Sequence, residues 1–544
     1  MSVETHSMNK DGHIERREYI FLAVVFLAAL LVRLYFIPFF RVISADGIGY
    51  VSAARSLLQG IYSPLTTYGV VYPSLTAAVS LAGLSTELAG RLVSAFMGSL
   101  LVVPLYLLAR DFFNKRVGII ACILVIAWPT LRSWAGEVMT QATYITLIVT
   151  WYWLLWRAYR CGSNRWSFAA GTVAGLSYLT RPESLVAFAV MAPVLLLPYA
   201  STKTVQKRIL LTVVCIGGFV LMLVPFLLLV HNVTGQWQLT GKGGATLADA
   251  LSEYLGRPDL KNEPGFQGIG FLDVIRFYPE FLRFNLLKNV EKTIQMLLPW
   301  YLYAAMVVGF IAGGWKQEQI TERLYLMASF APLGIIMVFF FVGPEYLQPY
   351  LPILFLWVGY GLCQVEAWLR RLCAARGGIV PYLARVPFAV VVVSLLTVFS
   401  FVGQIPADRN KPYHYDDDGG RYDHRRIGEL LKKHLPPESK IMTRWGRISF
   451  YAERENVGMP QAGLQEMVDT ARTKGARFII IDGMLMGMRP QFGLFFAPLQ
   501  NGTDTALYLP RPDEASFAPM PGVRLYLLYK DPSSLGVAVY EITP

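Results

Sequence analysis

Apolar runs of a length to cross a bilayer recur about eleven times in this chain, near residues 19–40, 86–109, 117–133, 138–157, 166–180, 184–199, 208–231, 296–314, 322–342, 346–368 and 384–404. Nothing constrains the fold more. A backbone inside lipid has to satisfy its own polar groups, and single apolar runs of this kind do so as helices. Of the 544 residues, 54% are hydrophobic and only 16% charged, which excludes a soluble globular protein of ordinary make-up. The net charge of +12 does not imply a nucleic-acid partner, because the basic residues stand in short hydrophilic gaps between apolar runs.

Those gaps set the orientation. Arg16 and Arg17 precede the first run and Arg110, Lys115 and Arg116 follow the second. Basic clusters then recur at every other gap, among them Arg157, Arg160 and Arg165, Lys203, Lys207 and Arg208, and Arg370, Arg371 and Arg376. By the positive-inside rule the N-terminus is cytoplasmic. The alternation holds only if the apolar stretch 72–84 is not a span, so it is expected to lie in the interface. The first run has no small-residue cleavage pattern and is expected to stay as an anchor. Five cysteines without a CxxC pair read as packing thiols.

On the outer side, just after the first run, residues 40–60 read FRVISADGIGYVSAARSLLQG. Ile48, Val51, Ala54, Leu57 and Leu58 recur at helical spacing, which predicts a helix lying on the bilayer surface with Asp46 at its start. An acid there has two uses. It can cap the helix by accepting first-turn N–H groups, or it can act as a general base at the water–lipid boundary.

The other candidates gather on the same side. Residues 134–144, WAGEVMTQATY, place Glu137 and Gln141 one helical turn apart at the mouth of a span; Glu137 also suits a solvated first turn. The turn Thr180-Arg181-Pro182-Glu183 is either a tight connection or the place where Arg181 reaches an anion, since a guanidinium's paired donors fit phosphate oxygens. Lys242, among Gly241, Gly243 and Gly244, offers a second cation in a loop whose backbone can approach an anion closely. Tyr50 and Tyr72 belong to the first outer loop, and Glu345 and Tyr346 open the late EYLQPYLP segment. No cofactor is expected, and nothing in the sequence indicates a metal. The Asp416-Asp417-Asp418-Gly419 run lacks the ligand spacing of a calcium loop and reads as a linker.

After Val402 the composition shifts. Residues 405–544 read as a water-soluble α/β domain outside the cytoplasm, with strands at 440–442, 477–482, 524–529 and 537–542 and helices at 422–434 and 464–474. The expected architecture is therefore an α-helical polytopic membrane domain over 1–404, with interfacial helices in its first outer loop, followed by this smaller domain.

An acid after the first span, two interfacial helices, short alternating spans, the TRPE turn, EYLQPYLP and the tail stretches RISFY (447–451) and GARFIIID (475–482) together resemble the GT-C membrane glycosyltransferases. Within that superfamily the chain is similar to the glycosyltransferase 39-like family, which includes the protein O-mannosyltransferases and the aminoarabinose transferases of lipid A. The resemblance implies a polyprenyl-phosphate sugar donor, a lipid, glycan or protein acceptor, and Asp46 as catalytic base in a multi-pass protein of the plasma (inner) membrane. Beside it, the residues themselves offer Arg181, Lys242 and Tyr346 as donor-phosphate contacts, and Tyr50, Tyr72, Glu137, Gln141, Glu183 and Glu345 as substrate contacts. Two departures stand out. Some members carry paired Asp-Glu where this chain has Asp46-Gly47, and many bacterial relatives carry Arg-Tyr where it has Glu345-Tyr346. A transporter or lipid flippase is the alternative on hydropathy alone, but its ionisable residues would be expected near midmembrane. Here they cluster at span ends, with Arg33 the main exception.

Overall fold

The computed structural model describes residues 15–198, 204–239, 245–257, 260, 266, 269–312, 320–339, 343–376, 387–402, 422–460, 463–483, 485–500, 506–508, 517–531 and 534–543. The chain divides into two compact units, Met1–Ile37 with Tyr50–Ile405, and Pro38–Gly49 with Pro406–Pro544. The expected boundary at 404 is thus joined by a second division, since the short segment that carries Asp46 goes with the C-terminal unit.

The first unit is built of helices, and a helix stands at each expected span. Among the described residues five helices are long and apolar enough to cross a membrane: Arg16–Phe39, Thr86–Phe112, Val205–Thr234, Ile320–Phe339 and Glu345–Leu372. A sixth arises if Pro279–Leu297 and Trp300–Ile311, bent by 102°, form one span. This is a multi-pass membrane protein. In Thr86–Phe112, 72% of the apolar window is buried, against 22% in Arg16–Phe39 and 28% in Val205–Thr234. The former is therefore central, while the latter two turn side chains such as Leu27, Leu31, Val213 and Leu221 outward, as lipid-facing helices do.

Lipid tails are as apolar as leucine, so helices in a membrane are held by close packing. The helix Asn164–Thr180 meets Val205–Thr234 at Gly171, where a Cβ would fall 1.9 Å from the Cys215 carbonyl oxygen. Trp300–Ile311 meets Leu351–Arg376 at Gly361, where a Cβ would fall 1.8 Å from the Ala305 carbonyl oxygen. At the second crossing the Phe310 and Trp357 rings stack, with centroids 4.1 Å apart.

The loop after the first span forms the helices Ala45–Leu58, Leu65–Tyr68 and Val71–Ser80. At about 1.5 Å per residue, the 10 residues of the last cover roughly half the hydrocarbon thickness, so it cannot span. One element departs from expectation. Residues 279–295, read from sequence as part of a long loop, belong to the helix Pro279–Leu297, which exposes Phe284, Leu287 and Ile294. Lys288, Glu291 and Lys292 are interspersed with those apolar residues and hold the average hydropathy down, which hides the helix from a span search.

Among the described residues the second unit contains a six-stranded sheet. Its strands are β1 (Lys440–Thr443), β2 (Asn456–Gly458), β3 (Ala476–Asp482), β4 (Ala506–Tyr508), β5 (Val523–Asp531) and β6 (Ser534–Ile542), in the order β2-β1-β3-β6-β5-β4. β2, β1 and β3 run parallel, while β6, β5 and β4 join by antiparallel pairing, with Ile480 opposite Val539. Successive side chains of β3 point to opposite faces. Ile479 and Ile481 pack with Val468 and Phe495, whereas Phe478 and Ile480 pack with Ile427 and Ile448. Both faces are therefore covered by helices. The Asp416 to Asp418 run lies outside the described residues.

Candidate active site

Asp46 stands in the first turn of the helix Ala45–Leu58. The cap at that helix start belongs to its neighbour, because Ser44 Oγ accepts the Gly47 N–H at 3.0 Å. Asp46 itself is exposed and makes no hydrogen bond or ion pair with the described residues. Its capping use is thereby taken over, and the carboxylate is left available to an incoming group. Tyr50 follows one turn later on the same helix and is buried.

A second group of residues is built around the turn at 181, within the first unit. Arg181 ends the helix Asn164–Thr180 with an extended backbone, φ −148° and ψ 127°, because Pro182 disfavours a helical residue before it. Its guanidinium pairs with Glu183 at 2.9 Å and lies over the rings of Tyr346 and Tyr144, with centroids at 5.4 and 5.8 Å. Burial by itself would favour the neutral form, but the adjacent Glu183 carboxylate outweighs it and holds Arg181 charged beyond its ordinary range. Tyr50 is within electrostatic range of the same guanidinium, and its hydroxyl approaches Thr140 Oγ1 at 3.5 Å.

The loop after the first span is tied to this turn by backbone at Gly69 and Val70. Val70 N–H donates to the Leu179 carbonyl at 2.8 Å. Gly69 lies at φ +74°, and a Cβ there would come within 2.8 Å of the Leu179 oxygen and 3.1 Å of the Thr180 oxygen. Gly69→Ala therefore meets both a strained φ and a backbone collision, expected to cost about 1–3 kcal/mol. A lower midpoint of thermal unfolding in detergent together with a raised donor KM is expected. Unchanged values for both would show that the loop and the turn are independent.

The remaining candidates separate. Tyr72 is fully buried, and its hydroxyl donates to the Gly90 carbonyl at 2.9 Å beside Ser94 Oγ, also at 2.9 Å. It supports Tyr50, whose ring packs edge-on at 5.5 Å, more directly than it could meet substrate. Glu137 and Gln141 do not share a helical turn, contrary to expectation. The helix Gln141–Cys161 begins only after the N-cap Thr140, and Glu137 lies in the bend before it, following Gly136 and accepting from Ser133 Oγ at 3.1 Å. Gln141 is buried with its Oε1 unpartnered among the described residues. Glu345 is half-buried in the short helix Pro344–Leu347, next to Tyr346. Lys242 lies outside the described residues. Tyr144 was missed from sequence, since an aromatic residue inside an apolar span reads as core; its place at the end of the WAGEVMTQATY stretch was the available signal. Among the described residues no group of three or more His, Cys, Asp or Glu is gathered as a metal site would require.

Residues 70–229 match the family of dolichyl-phosphate-mannose-protein mannosyltransferases. In three dimensions the chain is similar to ArnT from Cupriavidus metallidurans, solved bound to undecaprenyl phosphate, at 13% identity and a TM-score of 0.55 over 95% of this chain and 97% of that one. It is also similar to the oligosaccharyltransferase AglB from Archaeoglobus fulgidus, solved with an inhibitory peptide and a dolichol-phosphate, at 13% identity and a TM-score of 0.51 over 87% and 70% of the two chains. The chain has the fold of these two membrane transferases. No curated protein matches it by sequence. The matched segment contains Tyr144, Arg181 and Glu183 and begins after Asp46.

Proposed function

We propose that this protein is a glycosyltransferase that moves a sugar from a polyprenyl-phosphate donor to an acceptor hydroxyl on the outer face of the membrane, with Asp46 as general base. The observation that carries the reading is the Asp46 carboxylate, exposed in a first turn that Ser44 already caps. It is supported by the undecaprenyl phosphate and dolichol-phosphate held by two proteins of the same fold. Asp46 accepts the proton of the acceptor O–H while the oxygen attacks the anomeric carbon. The bond from that carbon to the phosphate oxygen breaks, and the lipid monophosphate leaves with the electron pair. A base so placed is worth about 10²–10⁴ in rate. Arg181, paired with Glu183 and framed by Tyr144 and Tyr346, would hold the leaving phosphate, where partial exclusion of water strengthens the attraction. Lys242 would add a second cation, with Tyr50, Tyr72, Gln141, Glu137 and Glu345 shaping the surroundings.

A single displacement inverts the anomeric carbon. The protein would sit in the plasma (inner) membrane with about eleven spans, its N-terminus in the cytoplasm and its C-terminal α/β unit outside. The acceptor is a lipid, a glycan or a protein; no nucleic acid enters. The experiment is to incubate the purified protein with a panel of polyprenyl-phosphate sugars and follow donor consumption and the mass of the product. Consumption of one donor with a matching gain on an acceptor is expected; no consumption of any lipid-phosphate sugar would contradict the proposal.

A further inference from the structure

Within the second unit, the segment Pro38–Gly49 joins no strand of the sheet. Its backbone is held by side chains more than 380 residues away in sequence. Ile43 N–H donates to Tyr451 Oη at 2.8 Å, 408 residues apart, and Arg425 Nη1 donates to the Arg41 carbonyl at 2.7 Å, 384 residues apart. The guanidinium of Arg425 also lies over the Tyr451 ring, 5.1 Å from its centroid, so the two side chains form one clamp. Arg425 is steadied from its own helix by Glu429, whose Oε1 accepts from its Nε at 2.8 Å.

The clamp is built into the packing of two helices. Tyr422–His434 carries Arg425, and Gly446–Ala452 carries Tyr451. They approach at Gly428, where a Cβ would lie 2.6 Å from Tyr451 Cβ and 2.8 Å from the Ile448 carbonyl oxygen. Ile43, at 1% exposure, and Tyr451, at 8%, are both buried, so the bond between them is shielded from water. Directly after Ile43 comes Ser44, the cap of the helix whose first turn holds Asp46. Ile48 reaches the other helix as well, its Cδ1 lying 3.5 Å from where a Gly446 Cβ would be. The exposed Asp46 carboxylate makes no hydrogen bond or ion pair with the described residues that would place it, and a displacement near 1 Å is enough to cost a reaction about 100-fold.

We propose that Arg425 and Tyr451 are positioning residues for Asp46: by holding the backbone at Arg41 and Ile43 they make the C-terminal unit, rather than the first membrane helix alone, set where the carboxylate stands. The proposal rests on Asp46 as the base. Its test uses the full-length protein in detergent or nanodiscs. Tyr451→Phe removes only the hydroxyl that accepts from Ile43, and Arg425→Ala and Arg425→Lys test the other half of the clamp. Amide hydrogen exchange over residues 38–49 is read beside kcat and donor KM.

For Tyr451→Phe, exchange in that segment is expected to rise about 5- to 10-fold, as loss of one buried hydrogen bond implies. With it, kcat falls about 10- to 100-fold while donor KM stays within about twofold. Arg425→Ala behaves alike and Arg425→Lys recovers part of the loss. A merely structural role would lower the unfolding midpoint without separating kcat from KM. Unchanged kcat in Tyr451→Phe and Arg425→Ala overturns the proposal, whether or not exchange rises. Asp46→Asn, measured alongside, separates the two failures. If it is inactive while the clamp variants are fully active, only the clamp falls; if it keeps turnover, the base assignment falls and takes the clamp's catalytic role with it.

Discussion

Asp46→Asn is expected to lower sugar transfer about 10²- to 10⁴-fold, the usual worth of a positioned general base. Its folding should hardly change. The side chain is exposed and makes no hydrogen bond or ion pair with the described residues, and the cap of its helix is Ser44. Surface substitutions of that kind usually stay within about 0.5 kcal/mol. The measurement is single-turnover transfer from a saturating donor, with the unfolding midpoint as control. Ser44→Ala makes the reciprocal comparison: loss of an N-cap costs about 1 kcal/mol of helix stability, so it should loosen the helix start and retain most of the chemistry. Near wild-type turnover by Asp46→Asn would remove this residue as the base.

Arg181→Ala is expected to raise donor KM about 10- to 100-fold, because a hydrogen bond to a charged group is worth about 1.5–3 kcal/mol. Acceptor KM should move far less. The variant also strands Glu183, a carboxylate that now shares a largely buried ion pair, and some lost stability must be separated from lost binding. Glu183→Gln does this. It leaves the guanidinium in place beside Tyr144 and Tyr346 and removes the competing anion, so donor KM should hold or fall. Equal changes in donor and acceptor KM for Arg181→Ala would mark the turn as structural only.

The five long apolar helices of the described residues fall on runs legible in the sequence, because lipid leaves the backbone few choices. Pro279–Leu297 was not, since its apolar residues are mixed with Lys288, Glu291 and Lys292. After the first span the sequence located the helix start and left Asp46 as either its cap or a base; the 3.0 Å contact from the Gly47 N–H gives the cap to Ser44 instead. The expected Glu137 and Gln141 pair failed for a local reason, because the chain is bent from Ala135 to Thr140 and the helix starts later. Arg181 was recognised as a cation in a turn with Glu183 two residues on, yet the aromatic walls from Tyr144 and Tyr346 depend on elements distant in sequence. The same holds for Pro38–Gly49, whose place in the C-terminal unit is set by contacts that no local pattern encodes.

The most direct test is the configuration of the sugar. With the consumed donor identified, the anomeric carbon of donor and product can be compared by nuclear magnetic resonance. A base that activates the acceptor for one displacement predicts inversion. Retention would mean two displacements through a covalent glycosyl intermediate, and would contradict Asp46 as a general base.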